Sequence, residues 1–301
     1  MMSTRTENSG QREPYGVRLG KALAQNGPLC VGIDAHPQIM NAWGLPQSPA
    51  GLLRLSMTVI EALAGRVAAI KPQVAWYEAY GSSGIAVLEQ TLAAAREAGV
   101  LSIADAKRGD IGSTMQAYGY TWLSDDSALA ADAVTLSPYL GVDSLTPAFE
   151  LAEATGRGTY VLALTSNPEG LSVQRAGGSR PVAAQVVNAV ERRNACRQDT
   201  PENKRNQIVI KSHGIVVGAT VGSSLRDAGV SLAGFTGSIL APGYGAQGAT
   251  ISALSEAFAQ VRGKILVNSA RAVLREGPTV SGLRRAAEAA THKLTPVVAI
   301  T

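Results

Sequence analysis

The sequence is poor in cysteine, histidine and aromatic residues, and it holds no block of like charge. Its two cysteines, Cys30 and Cys196, stand far apart in no metal or redox spacing. That argues against a disulfide framework and fits a reducing, cytoplasmic setting. No basic stripe is interleaved with aromatics, and the formal net charge is only +4, so nucleic acid is not the expected partner while a small anion is. No apolar signal core lies in the polar start, Met1 to Gln11. Ala228 to Ser255 lacks charge altogether, but glycine, proline and serine interrupt it too often for a membrane-spanning helix. It reads as helix end, strand and loop of a soluble core. Walker A and nucleophile-elbow patterns are missing. A literal G-x-G-x-x-G, Gly243 to Gly248, has neither the early strand–helix–strand context nor the later ribose carboxylate of a dinucleotide site.

What is present is a large apolar fraction, 46% of 301 residues, enough for a sizeable core of one or two domains. Apolar runs that read as strands alternate with helical periods. The strands are expected at Leu29–Ile33, Val67–Ile70, Val100–Asp105, Ala133–Leu136, Thr159–Leu164, Ile215–Val217, Gly237–Leu240 and Ile265–Val267, with Ile208–Ile210 competing for the sixth place. Helices are expected at Tyr15–Asn26, Ala50–Ala64, Ala79–Ala98, Ser113–Leu129, around Ser144–Thr155, Pro181–Ala195, Ile251–Val261 and near Ser281–His292, with a short one at Ser224–Ala228. Pro37 to Pro49 reads as loop with Trp43 packed beneath it, and Arg197 to Gln207 as a mobile polar insertion. Eight strand–helix units with no second domain fit a single (β/α)8 TIM barrel over residues 14–301, after a disordered segment at 1–13.

The stretch Ala104-Asp105-Ala106-Lys107-Arg108-Gly109-Asp110-Ile111 ends the third apolar strand. With period two, Asp105 and Lys107 leave that strand on one side, whereas Asp110 follows a glycine and need not point the same way. Two carboxylates bracketing an ammonium are costly to desolvate at a strand end. A surface ion-pair cluster is the plain alternative. Asp34, Lys71, Ser166, Gln247 and Arg271 also follow apolar strands, however, and barrel sites lie at those C-terminal ends. Pro242 to Gly248 carries three glycines before a helix, which suits a phosphate, and Arg271 could clamp the same group. The competing reading is a turn plus a surface arginine. For Lys71 it is a snorkelling surface lysine. His36 lacks a second histidine at a neighbouring strand end, so no metal ligand set is assigned. His213 reads as lying before a strand and His292 in the tail.

The segment Asp105-Ala-Lys107-Arg-Gly-Asp110-Ile111 resembles the D-x-K-x-x-D-I signature of orotidine 5′-phosphate decarboxylases. The likeness continues through Gly112-Ser113-Thr114, Thr165-Ser166-Asn167-Pro168, Ala241 to Gly248 and Asn268-Ser269-Ala270-Arg271, and is nearest to the longer bacterial, type 2, branch. The resemblance implies a homodimeric barrel, with sites at the dimer interface, that converts orotidine 5′-phosphate to UMP and CO2 in pyrimidine biosynthesis without cofactor or metal. It implies a tetrad of Lys71, Asp105, Lys107 and the neighbouring subunit's copy of Asp110, with Lys107 as proton donor to C6. Asp34 and Lys71 would bind ribose hydroxyls, Thr114 would reach across the interface, Ser166 would meet the pyrimidine, and Gln247 and Arg271 would hold the phosphate. The D-x-K-x-x-D core alone is shared with sugar-phosphate decarboxylases of the same superfamily. A metal-dependent enzyme of that kind and a nucleotide-binding sensor without chemistry are therefore the two alternatives.

Overall fold

The computed structural model describes residues 12–196, 209–221, 225, 228–245 and 250–298. Eight parallel strands close into a barrel in sequence order, the first pairing with the last. They are β1 (Leu29–Ile33), β2 (Ala69–Pro72), β3 (Leu101–Arg108), β4 (Ala133–Leu136), β5 (Gly158–Leu164), β6 (Lys211–Val217), β7 (Gly237–Pro242) and β8 (Ile265–Ser269). Helices Pro49–Leu63, Gly81–Glu97, Gly112–Leu123, Thr146–Ala154, Val182–Ala195, Ile251–Ala257 and Val280–Val298 lie between and after them.

Strand parity sorts the core into two shells. Val31, Ile70, Ala104, Val134, Val161, Ile215, Ile239 and Val267 face outward and pack in one cluster with the helices. Cys30, Ala69, Ile103, Ala133, Tyr160, Val216, Leu240 and Leu266 face inward and fill the barrel. Both shells leave water, which is why these strands read as unbroken apolar runs rather than alternating ones. Each large side chain so buried contributes about 1.5–3 kcal/mol relative to exposure. The helix Tyr15–Asn26 closes the N-terminal mouth of the barrel. Its Tyr15 and Leu19 join the inner shell, and the Tyr15 hydroxyl lies 3.0 Å from that of Tyr160, which accepts from Ser238 Oγ at 2.8 Å.

Several boundaries differ from those read in the sequence. The loop Pro37 to Pro49 contains a helix, Pro37–Ala42, because His36 Nδ1 accepts from Gln38 N and proline opens its first turn. Trp43 follows it and is buried as expected, its Nε1 donating to Leu274 O at 2.8 Å. The helix expected over Ala79–Ala98 is present as Gly81–Glu97, and a short helix not read in the sequence, Val74–Glu78, precedes it, the chain turning between them at Gly81 with φ +59°. β6 begins at Lys211, so His213 lies inside the strand and not before it. Polar residues disguised that strand, and neighbours outside it satisfy them: His213 Nδ1 lies 3.0 Å from Thr159 Oγ1, and its Nε2 lies 3.0 Å from Glu153. The insertion Arg197 to Gln207 and most of the short helix expected at Ser224–Ala228 lie outside the described residues.

Candidate active site

The polar residues of the barrel interior gather at one end. Lys71 follows Ala69, Asp105 follows Ile103 and Thr135 follows Ala133, each two residues further along an inward-facing row. Asp105 is the hub. Its Oδ2 accepts from Lys71 Nζ at 2.6 Å and from Gln73 Nε2 at 3.2 Å. Its Oδ1 accepts from Lys107 Nζ at 2.6 Å and from Thr135 Oγ1 at 3.0 Å. All four strong acceptor directions of the carboxylate are thus occupied. The side chains of Lys71 and Asp105 are 5% and 8% exposed, whereas that of Lys107 is 46% exposed. The Lys71 side chain is therefore nearly enclosed, while that of Lys107 stands open at the cleft.

Electrostatics keep this array charged. Burial disfavours the Asp105 carboxylate, but Lys71 and Lys107 override it and hold the group well below the usual carboxylate range. Burial likewise disfavours the Lys71 ammonium, and Asp105 with Asp34 reverses that, raising it above the ordinary lysine range. Asp34 goes the other way. Burial pushes its carboxyl up, partly offset by Lys71, Lys107 and Arg271, and its Oδ1 is buried with no hydrogen-bond partner. An acceptor left bare inside a charged cleft is suited to a ligand hydroxyl.

β3 runs three residues past its expected end at Asp105, to Arg108, and is bulged there. Ala104 pairs with Val134 and Arg108 with Leu136, so four steps of β3 span two of β4. Within the bulge Lys107 has φ +49°, the only non-glycine residue with positive φ among the described residues. Asp110 lies just beyond, half-buried, and its Oδ1 accepts from the N–H of Ile111 at 2.8 Å, so within this chain it does not join Lys107. Thr114 is exposed on the helix Gly112–Leu123.

The remaining predicted residues sit on the same rim. Ser166 is half-buried after β5, beside Gly218 at the end of β6, where a Cβ would come 3.0 Å from the Ser166 nitrogen. Gly243 and Gly245 adopt φ +109° and +76° after β7, exposing main chain as the glycine-rich loop requires. Gln247 lies outside the described residues. Arg271, expected four residues past β8, opens the helix Arg271–Leu274 only two residues after the strand ends, near enough to pull on Asp34.

Two participants were missed in the sequence. Gln73 is two residues beyond Lys71, and a bridge joins its backbone to Asp105. Thr135 is two beyond Ala133. The period-two rows carry both side chains inward, but nothing in the sequence pairs either of them with Asp105.

The arrangement provides two lysines on one carboxylate, one of them open, with Arg271 and glycine-rich backbone on the same rim. That suits an anionic substrate that develops further negative charge as it reacts. Comparison with known proteins points the same way. Residues 27–286 match the model of the orotidine 5′-phosphate decarboxylase / HUMPS family. The chain is 49% identical to an orotidine 5′-phosphate decarboxylase of Streptomyces coelicolor over 279 residues, covering 92% of this chain and 95% of that one. It is 48% identical to one of Salinispora arenicola over 278 residues, with the same coverage. A crystal structure of a candidate orotidine 5′-phosphate decarboxylase from Streptomyces avermitilis superposes with a TM-score of 0.87 at 48% identity, covering 96% of this chain and 97% of that one. An OMP decarboxylase structure from Leishmania donovani gives 0.73 at 26% identity, covering 94% and 98%.

Proposed function

This chain belongs to the orotidine 5′-phosphate decarboxylase / HUMPS family, and from that membership we propose that decarboxylation takes place over the Lys71–Asp105–Lys107 array. The reaction converts orotidine 5′-phosphate to UMP and CO2, a step of pyrimidine biosynthesis. One C–C bond breaks, the electron pair stays on C6, and a proton then fills the vacated position. The observation that carries the assignment is the open Lys107 ammonium held 2.6 Å from a buried carboxylate that Lys71 grips from its other side.

Lys107 is the proton donor. The C6 carbanion has little delocalisation, so a fixed ammonium beside it lowers the barrier and then quenches the charge. Asp105 orients that ammonium and faces the departing carboxylate. Enzymes lower barriers by about 8–23 kcal/mol, and this reaction requires the upper part of that range. Remote contacts must therefore help organise the site. Asp34 and Lys71 bind the ribose hydroxyls, with the bare Asp34 Oδ1 as support. Ser166 meets the pyrimidine, and Gln247 and Arg271 hold the phosphate.

The working unit is a homodimer in which Asp110 and Thr114 act in the other subunit's site. Support comes from the rim around them: Ile111, Tyr120, Tyr139 and Leu140 are 61%, 52%, 80% and 53% exposed, a run of large apolar groups that a monomer would leave in water. Residues 14–301 form one catalytic domain of the longer bacterial branch, working in the cytoplasm. No helix among the described residues is long and apolar enough to cross a membrane.

The test follows the ultraviolet change on adding orotidine 5′-phosphate to purified protein with and without EDTA. Equal, rapid conversion in both is expected. Conversion lost with EDTA would replace this assignment by a metal-dependent reaction, and UMP binding without turnover would replace it by a sensor.

A further inference from the structure

The bulge in β3 poses a backbone problem at the centre of the site. Where four steps of β3 face two of β4, the regular ladder is broken and the amide of Lys107 is displaced from it. A buried N–H without an acceptor is costly, and a non-glycine residue at positive φ is strained. Such a conformation persists only where surrounding contacts hold it. The contact here is one side chain. Thr135 Oγ1 accepts from Lys107 N at 3.0 Å and donates to Asp105 Oδ1 at 3.0 Å. Thr135 is 1% exposed and sits on β4, the strand across which the register slips.

A hydroxyl has one proton, so its direction is decided. The amide can only donate, and the carboxylate, held ionised by its two lysines, can only accept. The single Thr135 proton therefore points to Asp105, and its lone pair takes the Lys107 amide. Two ends of Asp105-Ala106-Lys107 are tied to one atom of the neighbouring strand. The Lys107 side chain closes the same loop by returning to Asp105 Oδ1 at 2.6 Å.

Resting on the decarboxylase reading, we propose that Thr135 is a positioning residue for that reaction, fixing the Asp105 carboxylate and the Lys107 backbone together so that the Lys107 ammonium faces the reacting carbon. Valine has nearly the same shape but no hydroxyl, so Thr135→Val deletes both bonds without opening a cavity. Small misplacements of a reacting group cost on the order of 10²-fold in rate. The expected result for Thr135→Val is a loss of kcat on the order of 10²-fold, with KM for orotidine 5′-phosphate and calorimetric UMP affinity within a few-fold of the wild-type protein. Thr135→Ser keeps the hydroxyl and should recover most of kcat. Should the valine variant not fold, Thr135→Cys, a weak hydrogen-bonding group, takes its place with the same expected order of rates.

A wild-type kcat in the valine variant overturns the proposal. So does a serine variant as slow as valine, or a loss of UMP affinity that matches the loss of rate, since packing alone would then explain the effect. A wild-type protein that fails to decarboxylate overturns the underlying reading and this proposal with it. An active wild type beside an equally active valine variant overturns this proposal alone.

Discussion

At the residue scale the site turns on which charged group is open and which is locked. Lys71 and Lys107 touch opposite oxygens of one carboxylate, yet the Lys71 side chain is nearly buried and that of Lys107 is largely open. Removing either lysine therefore has different consequences. Lys107→Ala takes away the exposed donor and leaves Asp105 still paired with Lys71, so the fold is expected to hold. Turnover should fall at least about 10³-fold, within or beyond the range of a lost acid–base group, while UMP binding measured by calorimetry survives. A rate like that of the wild-type protein would remove Lys107 from the proton-donor role. Asp105 and Lys107 are two residues apart on one strand, so their pairing was legible from period two alone. Gln73 and Thr135 were not, because each is an ordinary polar residue until a neighbouring strand brings Asp105 to it.

At the scale of elements, the barrel depends on close approaches at its closed end as much as on the charges at its open one. The helix Tyr15–Asn26 lies so near the chain entering β6 that a Cβ on Gly16 would stand 1.9 Å from Ile210 O. Main-chain carbonyls cannot move aside as a flexible side chain can. Gly16→Ala is expected to lever the helix off the barrel mouth and disturb the packing of Tyr15 and Leu19 on the inner shell. The cost should be about 1–3 kcal/mol, the range for overpacking, read as a lowered melting temperature with activity retained below it. An unchanged melting temperature would show that the helix can slide without loss. The sequence carried the helix itself in its apolar spacing. It held no sign that Gly16, among 32 glycines, meets another backbone.

At the scale of the whole molecule, Asp110 decides how many chains make a site. Its carboxylate accepts from Ile111 N at 2.8 Å and stands apart from the Lys107 it follows by three residues, on a rim lined by Ile111, Tyr139 and Leu140. If each site borrows Asp110 from the other subunit, mixing inactive Lys107→Ala with inactive Asp110→Ala protein must restore activity. The hybrid dimer then holds one site with both defects and one intact site. About a quarter of wild-type activity is the ceiling expected at full exchange, since half the dimers are hybrids and each has one working site of two. No recovery after confirmed subunit exchange would mean that each chain completes its own site.

What the sequence by itself determined is whatever depends on local period and residue type. Eight apolar runs separated by helical segments specify parallel strands buried on both faces, and their number with no second domain favours a closed barrel over an open doubly wound sheet. A charge placed two residues beyond an inward-facing residue must emerge at the strand end, which is how Lys71, Asp105 and Lys107 could be placed together. What only the tertiary structure decided depends on register between strands. The bulge of β3 against β4, the positive φ of Lys107 and the hydroxyl of Thr135 that answers both arise from two strands meeting out of step. So does the strand character of the polar Lys211-Ser212-His213 start of β6, whose His213 is satisfied by Thr159 and Glu153 from other elements. Local period fixes the side from which a group leaves its own strand, but its partner belongs to another part of the chain and is set only when the barrel closes.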